Sequence, residues 1–292
     1  MYRCLRVSVR ALSLPILCTL LLACSSVDLA YRNLDLLIPW SLNDYLSMNA
    51  QQKTWLDERL KVHLRWHCST QLPVYRSWLD RVDRMVASNQ VNDQQLQARA
   101  KEAKQAIADV AKAVTPSAVE LLRGFDDEQI RELRQTFAED VRKRHEKYVN
   151  TPLERQIGNR AQRMEKRLTA WLGDLTPAQR VRVQAWAQSL GEQNRQWIDN
   201  RARWQAQLIA AMQQRERPEF AQQVERLLKD RDSVWTLQYR QTQKQNEQAV
   251  RSLLVDVMKD STPAQRQRLR HKIADVRQDL HNLECLKTAA SS

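Results

Sequence analysis

Glycine and proline are both scarce in this sequence, with 4 and 8 residues among 292. Because β-sheets and catalytic loops use glycine wherever the backbone turns tightly, this scarcity argues against both. Gln, Arg, Ala and Leu dominate instead, which is typical of long helices joined by short connections. We therefore predict an all-α protein, an elongated multi-helix bundle with long antiparallel helices.

The common signatures of enzymes are missing as well. The sequence contains no Gly-x-Ser-x-Gly elbow, no His-Glu-x-x-His motif and no glycine-rich phosphate loop. Carboxylates that are distant in sequence can still meet in a fold, so a hydrolase acting on an envelope substrate stays open as an alternative. The prediction is a protein that is not an enzyme and that requires no cofactor.

Long hydrophobic runs are absent except at the N-terminus, where three arginines precede the mostly apolar run 11–23. This run is too short to span a bilayer and is typical of a signal peptide. It ends in Leu-Leu-Ala-Cys at 21–24 and resembles the lipobox of bacterial lipoproteins. That resemblance implies cleavage before Cys24 and acylation of Cys24, including a fatty acid such as palmitate, which would anchor the protein to a membrane. An ordinary secreted protein is the alternative.

The lipobox divides the chain into a signal peptide (1–23), a lipidated N-terminal segment (24–48), a helical domain (49–286) and a short disordered tail (287–292). Ser25 and Ser26 follow the cysteine, where no aspartate stands. By analogy with bacterial lipoproteins, this favours the outer membrane, with the helical domain facing the periplasm.

Cysteine is rare too, with 5 residues in the chain. Cys4 and Cys18 would leave with the signal peptide and Cys24 would be lipidated, which leaves Cys68 and Cys285. Two remaining thiols in an oxidising compartment usually join, so we predict a Cys68–Cys285 disulfide. The alternative is a zinc site, because two pairs at i, i+4 spacing would supply four ligands: His63 with His67, and His281 with Cys285.

Capping residues indicate where helices start. A Thr-Pro pair places a capping hydroxyl before a proline at the first helical position, and it occurs at 115–116, 151–152, 176–177 and 262–263. Glu or Gln three residues after the threonine completes a capping box at the last three of these, and Asn49 with Gln52 and Asp126 with Gln129 repeat the box without proline. After a short amphipathic segment and a break at Pro39, the helices predicted are 50–69, 74–88, 93–113, 127–149, 152–172, 177–215, 219–259 and 263–286.

These caps include an internal sequence repeat. Leu-Thr-Pro-Ala-Gln-Arg at 175–180 is nearly repeated by Ser-Thr-Pro-Ala-Gln-Arg at 261–266. Their spacing is too unequal for a solenoid. The five residues 175–179 resemble the Leu-Thr-x-x-Gln motif of periplasmic proteins of the Spy and CpxP type, which are small helical chaperones or sensors. Over nearly the whole mature chain, the segments 24–35, 38–45 and 66–73 are similar to an uncharacterised family of proteobacterial lipoproteins. That family implies no activity.

Positive charge is the main candidate for function. The formal net charge is +13, and removal of the three leader arginines would lower it by three, to +10. Arginine suits phosphate because its planar fork donates two hydrogen bonds at once, whereas solvated helix faces are the alternative explanation for basic runs. The candidate anion-binding residues lie in three runs: Arg142, Lys143 and Arg144; Arg160, Arg163 and Arg167; and Arg266, Arg268 and Arg270.

Together these features predict a non-catalytic envelope lipoprotein whose helical periplasmic domain binds anionic lipid, lipopolysaccharide or an envelope protein. Export makes nucleic acid an unfavoured partner, although basic patches attract it electrostatically. A periplasmic chaperone of the Spy or CpxP type is the second hypothesis.

Overall fold

Helices make up nearly all of the computed structural model, which describes residues 26–283, with side chains from Leu29 onward. Residues 26–283 contain no strand, and the all-α prediction is confirmed. Cys24, Cys285 and the predicted signal peptide and tail lie outside the described residues. The helices are α1 (Ser26–Arg32), α2 (Leu34–Asn43), α3 (Ala50–Trp66), α4 (Leu72–Ala87), α5 (Asp93–Arg123), α6 (Asp127–Tyr148), α7 (Leu153–Leu172), α8 (Pro177–Ser189), α9 (Asn194–Met212), α10 (Phe220–Lys229), α11 (Leu237–Lys259) and α12 (Pro263–Asn282).

Two predicted breaks are wrong because proline lies inside a helix. Pro39 falls within α2, and α5 continues through Pro116 to Arg123. The Thr115 hydroxyl donates to the carbonyl of Ala111, 2.6 Å away within the same helix, so it does not cap a new one. A proline in a helix interior costs about 3 kcal/mol. Burial of Leu121 and Leu122 in the last turns of α5 offsets that cost.

Other helix boundaries in the structure differ from the predicted ones for local reasons. The helix predicted at 177–215 is split at Gly191, whose φ of +50° favours glycine. The helix predicted at 219–259 is interrupted by a 3₁₀ turn at Arg231–Val234. The gap expected after residue 69 is instead a π-helical turn, His67–Gln71, which joins α3 to α4 directly. The expected box at Thr151 does not form, because Pro152 is the N-cap and the Thr151 hydroxyl has no partner.

Three hydrophobic clusters hold the helices together. The first joins α5, α6, α9 and α10 around Phe125, Leu133 and Phe220. The second joins α7, α8 and α11 around Val183 and Val257. The third joins α4 to α12, with Tyr31 of α1 against it. Full burial of one such side chain stabilises the fold by about 1.5–3 kcal/mol, so each cluster is a substantial core.

Four capping boxes form as predicted, at Asn49, Asp126, Thr176 and Thr262. The residue before the cap is buried in each case: Met48, Phe125, Leu175 and Ser261. A hydrophobic residue at this position fixes the angle at which the chain enters a helix, and three of the four follow that rule. The repeated capping sequences therefore mark four equivalent helix starts.

The glutamines of these boxes pair two by two. Gln179 and Gln265 donate to each other's side-chain oxygen over 3.0 Å in both directions. Their remaining amide protons reach the carbonyl oxygens of Val257 at 3.0 Å and Asp174 at 2.8 Å. Each side-chain oxygen also accepts the N–H of its own cap residue, Thr176 or Thr262. All four hydrogen-bonding positions of both amides are therefore filled.

Gln52 and Gln129 repeat this arrangement in the N-terminal half of the sequence. They donate to each other over 3.2 and 2.7 Å, and their second protons reach the carbonyls of Gly124 and Ser47. Each of these carbonyls lies two residues before the partner's cap. The start of α3 is thereby fixed to the start of α6, just as the start of α8 is fixed to that of α12.

Replacement of Gln179 by Ala should lower the free energy of unfolding by about 2–3 kcal/mol, because Gln265 and two backbone groups lose buried partners. The same change at Gln265 should cost a similar amount, and the double variant should cost clearly less than the sum. Urea unfolding of the four proteins measures this. Gln184→Ala on the exposed face of α8 is the control, expected within about 0.5 kcal/mol of the wild type. Additive costs would contradict the pairing.

Candidate anion-binding surface

Two histidines of the predicted zinc alternative, His63 and His67, have other partners. His63 shares a hydrogen bond of 2.9 Å with the Ser117 hydroxyl. His67 lies between two phenols, with Nδ1 3.0 Å from Tyr31 Oη and Nε2 3.1 Å from Tyr75 Oη. In the part of the chain that is described, no three His, Cys, Asp or Glu side chains are placed to hold a metal ion.

The His67 cluster ties the first helix to the body of the protein. Burial raises the pKa of Tyr31 to about 12, with Tyr75 adding to the effect, and burial lowers the pKa of His67. Both phenols and the imidazole are therefore neutral near pH 7. A neutral imidazole donates from one nitrogen and accepts at the other, so it can bridge Tyr31 on α1 to Tyr75 on α4.

The basic run on α6 is compensated by neighbouring acids. Arg142 lies 2.8 Å from Glu146, and Lys143 lies 2.8 Å from Glu139. The Arg144 guanidinium contacts both oxygens of Asp140 and lies over the ring of Trp197. Because each cation already has a local partner, this run adds little uncompensated charge to the surface.

Arg160 is a structural residue. Its side chain is 5% exposed and donates to the carbonyl of Ala187 at 2.7 Å and to that of Gly191 at 3.0 Å. These carbonyls close the end of α8, where a cation is favoured by the helix dipole. Burial lowers the pKa of Arg160, with Arg163 adding to the effect. We therefore leave Arg160 out of any binding surface.

Two candidates on α12 are also engaged. Arg270 forms an ion pair with Asp83, 2.9 Å away, and this carboxylate raises the pKa of Arg270. Arg266 donates from Nε to the Ser261 hydroxyl at 2.8 Å and so holds the turn before its own helix. Both side chains line a groove of about 620 Å³ between α4 and α12.

The remaining three candidates, Arg163, Arg167 and Arg268, are exposed. Arg163 and Arg167 share the outer face of α7, since residues four apart lie on one side of a helix. Gly173, with a φ of +80°, ends α7, and the Arg268 side chain runs across it: its Cδ lies 3.2 Å from where a Gly173 Cβ would stand. A Cβ at 173 would therefore require the Arg268 side chain to shift by a few tenths of an ångström, and the positive φ would strain any other residue there.

Three further residues complete this surface, which we name the α7 strip. It consists of Arg155, Arg163, Lys166, Arg167 and Trp171 on α7, with Arg268 beside them. Among the residues that the structure describes, none of these five cations forms an ion pair or a hydrogen bond. Trp171 is 41% exposed, which is unusual for so large a ring. Sequence analysis missed Arg155 and Trp171 as site residues, although their helical spacing from Arg163 and Arg167 is a signal that could have found them.

The pKa shift of His67 gives a pH dependence with a definite sign. Because the folded protein binds a proton at His67 less readily than the unfolded chain, this site contributes full stability above about pH 6.5 and loses it as the pH falls further. Urea unfolding at several values between about pH 7 and 5 should show a shallower decline for His67→Gln than for the wild type. The exposed control His271→Gln should keep the wild-type slope. An unchanged slope in His67→Gln would show that this site does not carry the effect.

Comparison with known proteins supports the family resemblance at a coarse level. A family of unknown function, DUF6279, matches residues 44–240, which is more than half of the chain. No curated protein and no solved structure matches. The match confirms the predicted uncharacterised family without showing an activity, and no relation to the Spy and CpxP proteins emerged. The chain belongs to DUF6279.

Proposed function

We propose that this protein is a non-catalytic envelope lipoprotein whose helical body binds phosphate-bearing anionic lipid through the α7 strip. The observation that carries the proposal is that five unpaired cations and an exposed tryptophan lie along α7 and beside its end. Elsewhere on α6 and α12, the dense basic runs are matched by acids or by backbone oxygens. Of the nine candidate residues, the three exposed ones without an acidic or backbone partner, Arg163, Arg167 and Arg268, therefore all belong to the strip.

The side chains of the strip suit a lipid headgroup layer. Each Lys or Arg near an anionic membrane surface contributes about 1 kcal/mol of attraction. Arginine also donates two parallel hydrogen bonds to a phosphate. Tryptophan favours the boundary between headgroups and acyl chains, because its ring is apolar and its N–H is polar. Each helix between Ser26 and Leu283 is too short or too polar to cross a bilayer.

A lipid anchor at Cys24 would hold this surface near the membrane. Cys24 lies two residues before the start of α1, and α1 contacts α12, the helix that carries Arg268. The bond between Tyr31 and His67 fastens α1 to α3 and α4 as well. An acyl chain at this point would therefore keep the strip at a high effective concentration at the lipid surface.

The predicted disulfide belongs to the same proposal. Cys68 is 1% exposed and lies in the third cluster with Leu280 and Leu283. Leu283 is two residues before Cys285, so the chain leaves α12 close to Cys68. A bridge here would close a loop of more than 200 residues and, in the chain-entropy model, stabilise the fold by roughly 5 kcal/mol.

Mass spectrometry of the protein isolated from cell membranes tests the anchor and the bridge. We expect an N-terminal peptide that begins at Cys24 and carries fatty acid, and a non-reduced digest in which the Cys68 and Cys285 peptides are linked. Cys24→Ser should abolish acylation. An intact leader, or a mature end without fatty acid, would refute the anchor.

The strip is tested with a version that begins at Ser25 and with vesicles containing phosphatidylglycerol. Replacement of Arg163, Lys166, Arg167 and Arg268 by Gln should weaken partitioning by about 100-fold or more at low salt, because about 1 kcal/mol is lost per cation. Wild-type partitioning should itself fall steeply as salt is added.

The matched control replaces four exposed cations that have acidic partners, Arg131, Arg142, Lys143 and Arg182, by Gln. This variant has the same net charge as the strip variant and should lose much less affinity. Equal losses would show that binding follows net charge alone. Wild-type binding that is independent of salt would also contradict the role of phosphate contacts.

A further inference from the structure

Helix α2 is rich in apolar residues that the fold leaves accessible. Its ten residues, Leu34–Asn43, include four leucines, an isoleucine and a tryptophan, yet none of the ten is buried. Packing accounts for one side of the helix, because α2 contacts α3 and Leu42 packs against the first hydrophobic cluster. Ile38 and Leu34, one and two turns before Leu42 on the same side, are half-buried. The apolar residues on this side are therefore explained by contacts within the protein.

The opposite side of α2 has no such explanation. Leu36, Leu37 and Trp40 are 66%, 43% and 67% exposed. Because each residue turns the helix by about 100°, these three side chains fall within about 100° of arc, and we name them the α2 face. Asp35, the one charged residue of this fully described helix, lies outside that arc. Isolated exposed leucines are ordinary, but a contiguous apolar group marks an interaction site.

The position of the α2 face in the chain indicates what covers it. Cys24 lies two residues before α1, which is a helix of seven residues. With a rise of about 1.5 Å for each helical residue and at most about 3.6 Å for each extended one, α2 starts within about 25 Å of Cys24. The acyl anchor of the proposed function, on which this inference rests, would therefore keep the α2 face beside the bilayer.

The dimensions and composition of α2 suit the boundary layer of a membrane. Its ten residues span about 15 Å, about half the apolar thickness of a bilayer, so the helix can lie along the surface but cannot cross it. A tryptophan ring favours the boundary between headgroups and acyl chains, and leucines favour the acyl chains beneath. No lysine or arginine occurs between Leu34 and Asn43, so contact here does not depend on anionic headgroups.

A second copy of the protein fits the α2 face less well than lipid does. Even with Leu29 of α1, which is 59% exposed, the apolar side chains present on the order of a few hundred Å². A stable dimer buries about 800 Å² on each partner. A bilayer needs no such area, because the anchor already supplies the proximity. We propose that α2 lies in the interfacial layer of the bilayer and inserts Leu36, Leu37 and Trp40 among the acyl chains.

A fluorescent label at position 36 tests the contact in the anchored protein. Leu36→Cys, isolated from cell membranes, is labelled with nitrobenzoxadiazole and placed in phosphatidylcholine nanodiscs, with wild type treated in the same way as the background. Its emission should be blue-shifted, and a nitroxide on the lipid acyl chains should quench it, because an inserted helix face is surrounded by lipid. Ile107→Cys, at a 70% exposed position of α5, is the control and should show neither effect.

Removal of the anchor isolates the contribution of the α2 face. In the version that begins at Ser25, Leu36→Ser combined with Trp40→Ser should weaken partitioning into phosphatidylcholine vesicles at least about 10-fold, because burial of one such side chain is worth about that factor. Both side chains are exposed, so the melting temperature should not change. Ile107→Ser combined with Val181→Ser removes similarly exposed apolar side chains elsewhere and should leave partitioning within about twofold.

Charge distinguishes this contact from that of the α7 strip. Partitioning into phosphatidylcholine should be insensitive to salt, and the variant that lacks four strip cations should retain it within about twofold. A strip that fails to bind phosphatidylglycerol would leave this result unchanged. Failure of the anchor is read separately, as a mature end without fatty acid in the mass spectrum.

The proposal is overturned if the label at position 36 in an acylated sample emits as it does in water, or if Leu36→Ser with Trp40→Ser partitions like the wild type. It is also overturned if the protein without its anchor sediments as a dimer that the same double variant converts to a monomer, because a second copy would then cover the α2 face. These outcomes contradict the proposal even where the anchor and the strip are confirmed.

Discussion

The reciprocal pairing of cap glutamines is the interaction on which the rest of this structure depends. A capping box normally satisfies the exposed N–H groups of one helix. Here the same glutamine also contacts the glutamine of a second helix start, so two helices are fixed to each other at their first turns. The Gln179–Gln265 pair is buried, where an incomplete amide is most costly and a complete one most specific.

The α7 strip lies next to one of these junctions. The Gln265 side chain donates to the carbonyl of Asp174, directly after the end of α7. This contact sets the start of α12 against the end of α7, and it brings Arg268, three residues further on, over Gly173 and beside the strip. At the other junction, Gln129 and Gln52 fix the start of α6 to the start of α3.

The sequence predicts helix starts well because a capping box is a local signal. All-helical composition and the caps at 49, 126, 176 and 262 depend on neighbouring residues and were confirmed. Pairing between the caps could not be predicted, because it depends on how helices far apart in sequence pack. Thr115 followed by Pro116 carries the local signal of a corner, yet burial at the end of α5 outweighs it.

The same distinction between local signals and long-range packing applies to the candidate surface. Local sequence identifies runs of cations, but it does not show which of them have partners. Arg270 is paired with Asp83, which is 187 residues away, and Arg160 is occupied by carbonyls of α8. Only the fold separates these structural arginines from the free cations of the α7 strip. The same reasoning applies to glutamine, since Gln179 and Gln205 are both buried and only one of them is satisfied.

Hydrogen exchange of glutamine side-chain amides, followed by NMR, tests the pairing most directly. The amide protons of Gln179 and Gln265 each have a partner and are buried, so they should exchange far more slowly than those of the exposed Gln188. Both should also show a through-space contact to each other. Exchange as fast as that of Gln188, or the absence of that contact, would contradict the claim that paired caps hold the helices together.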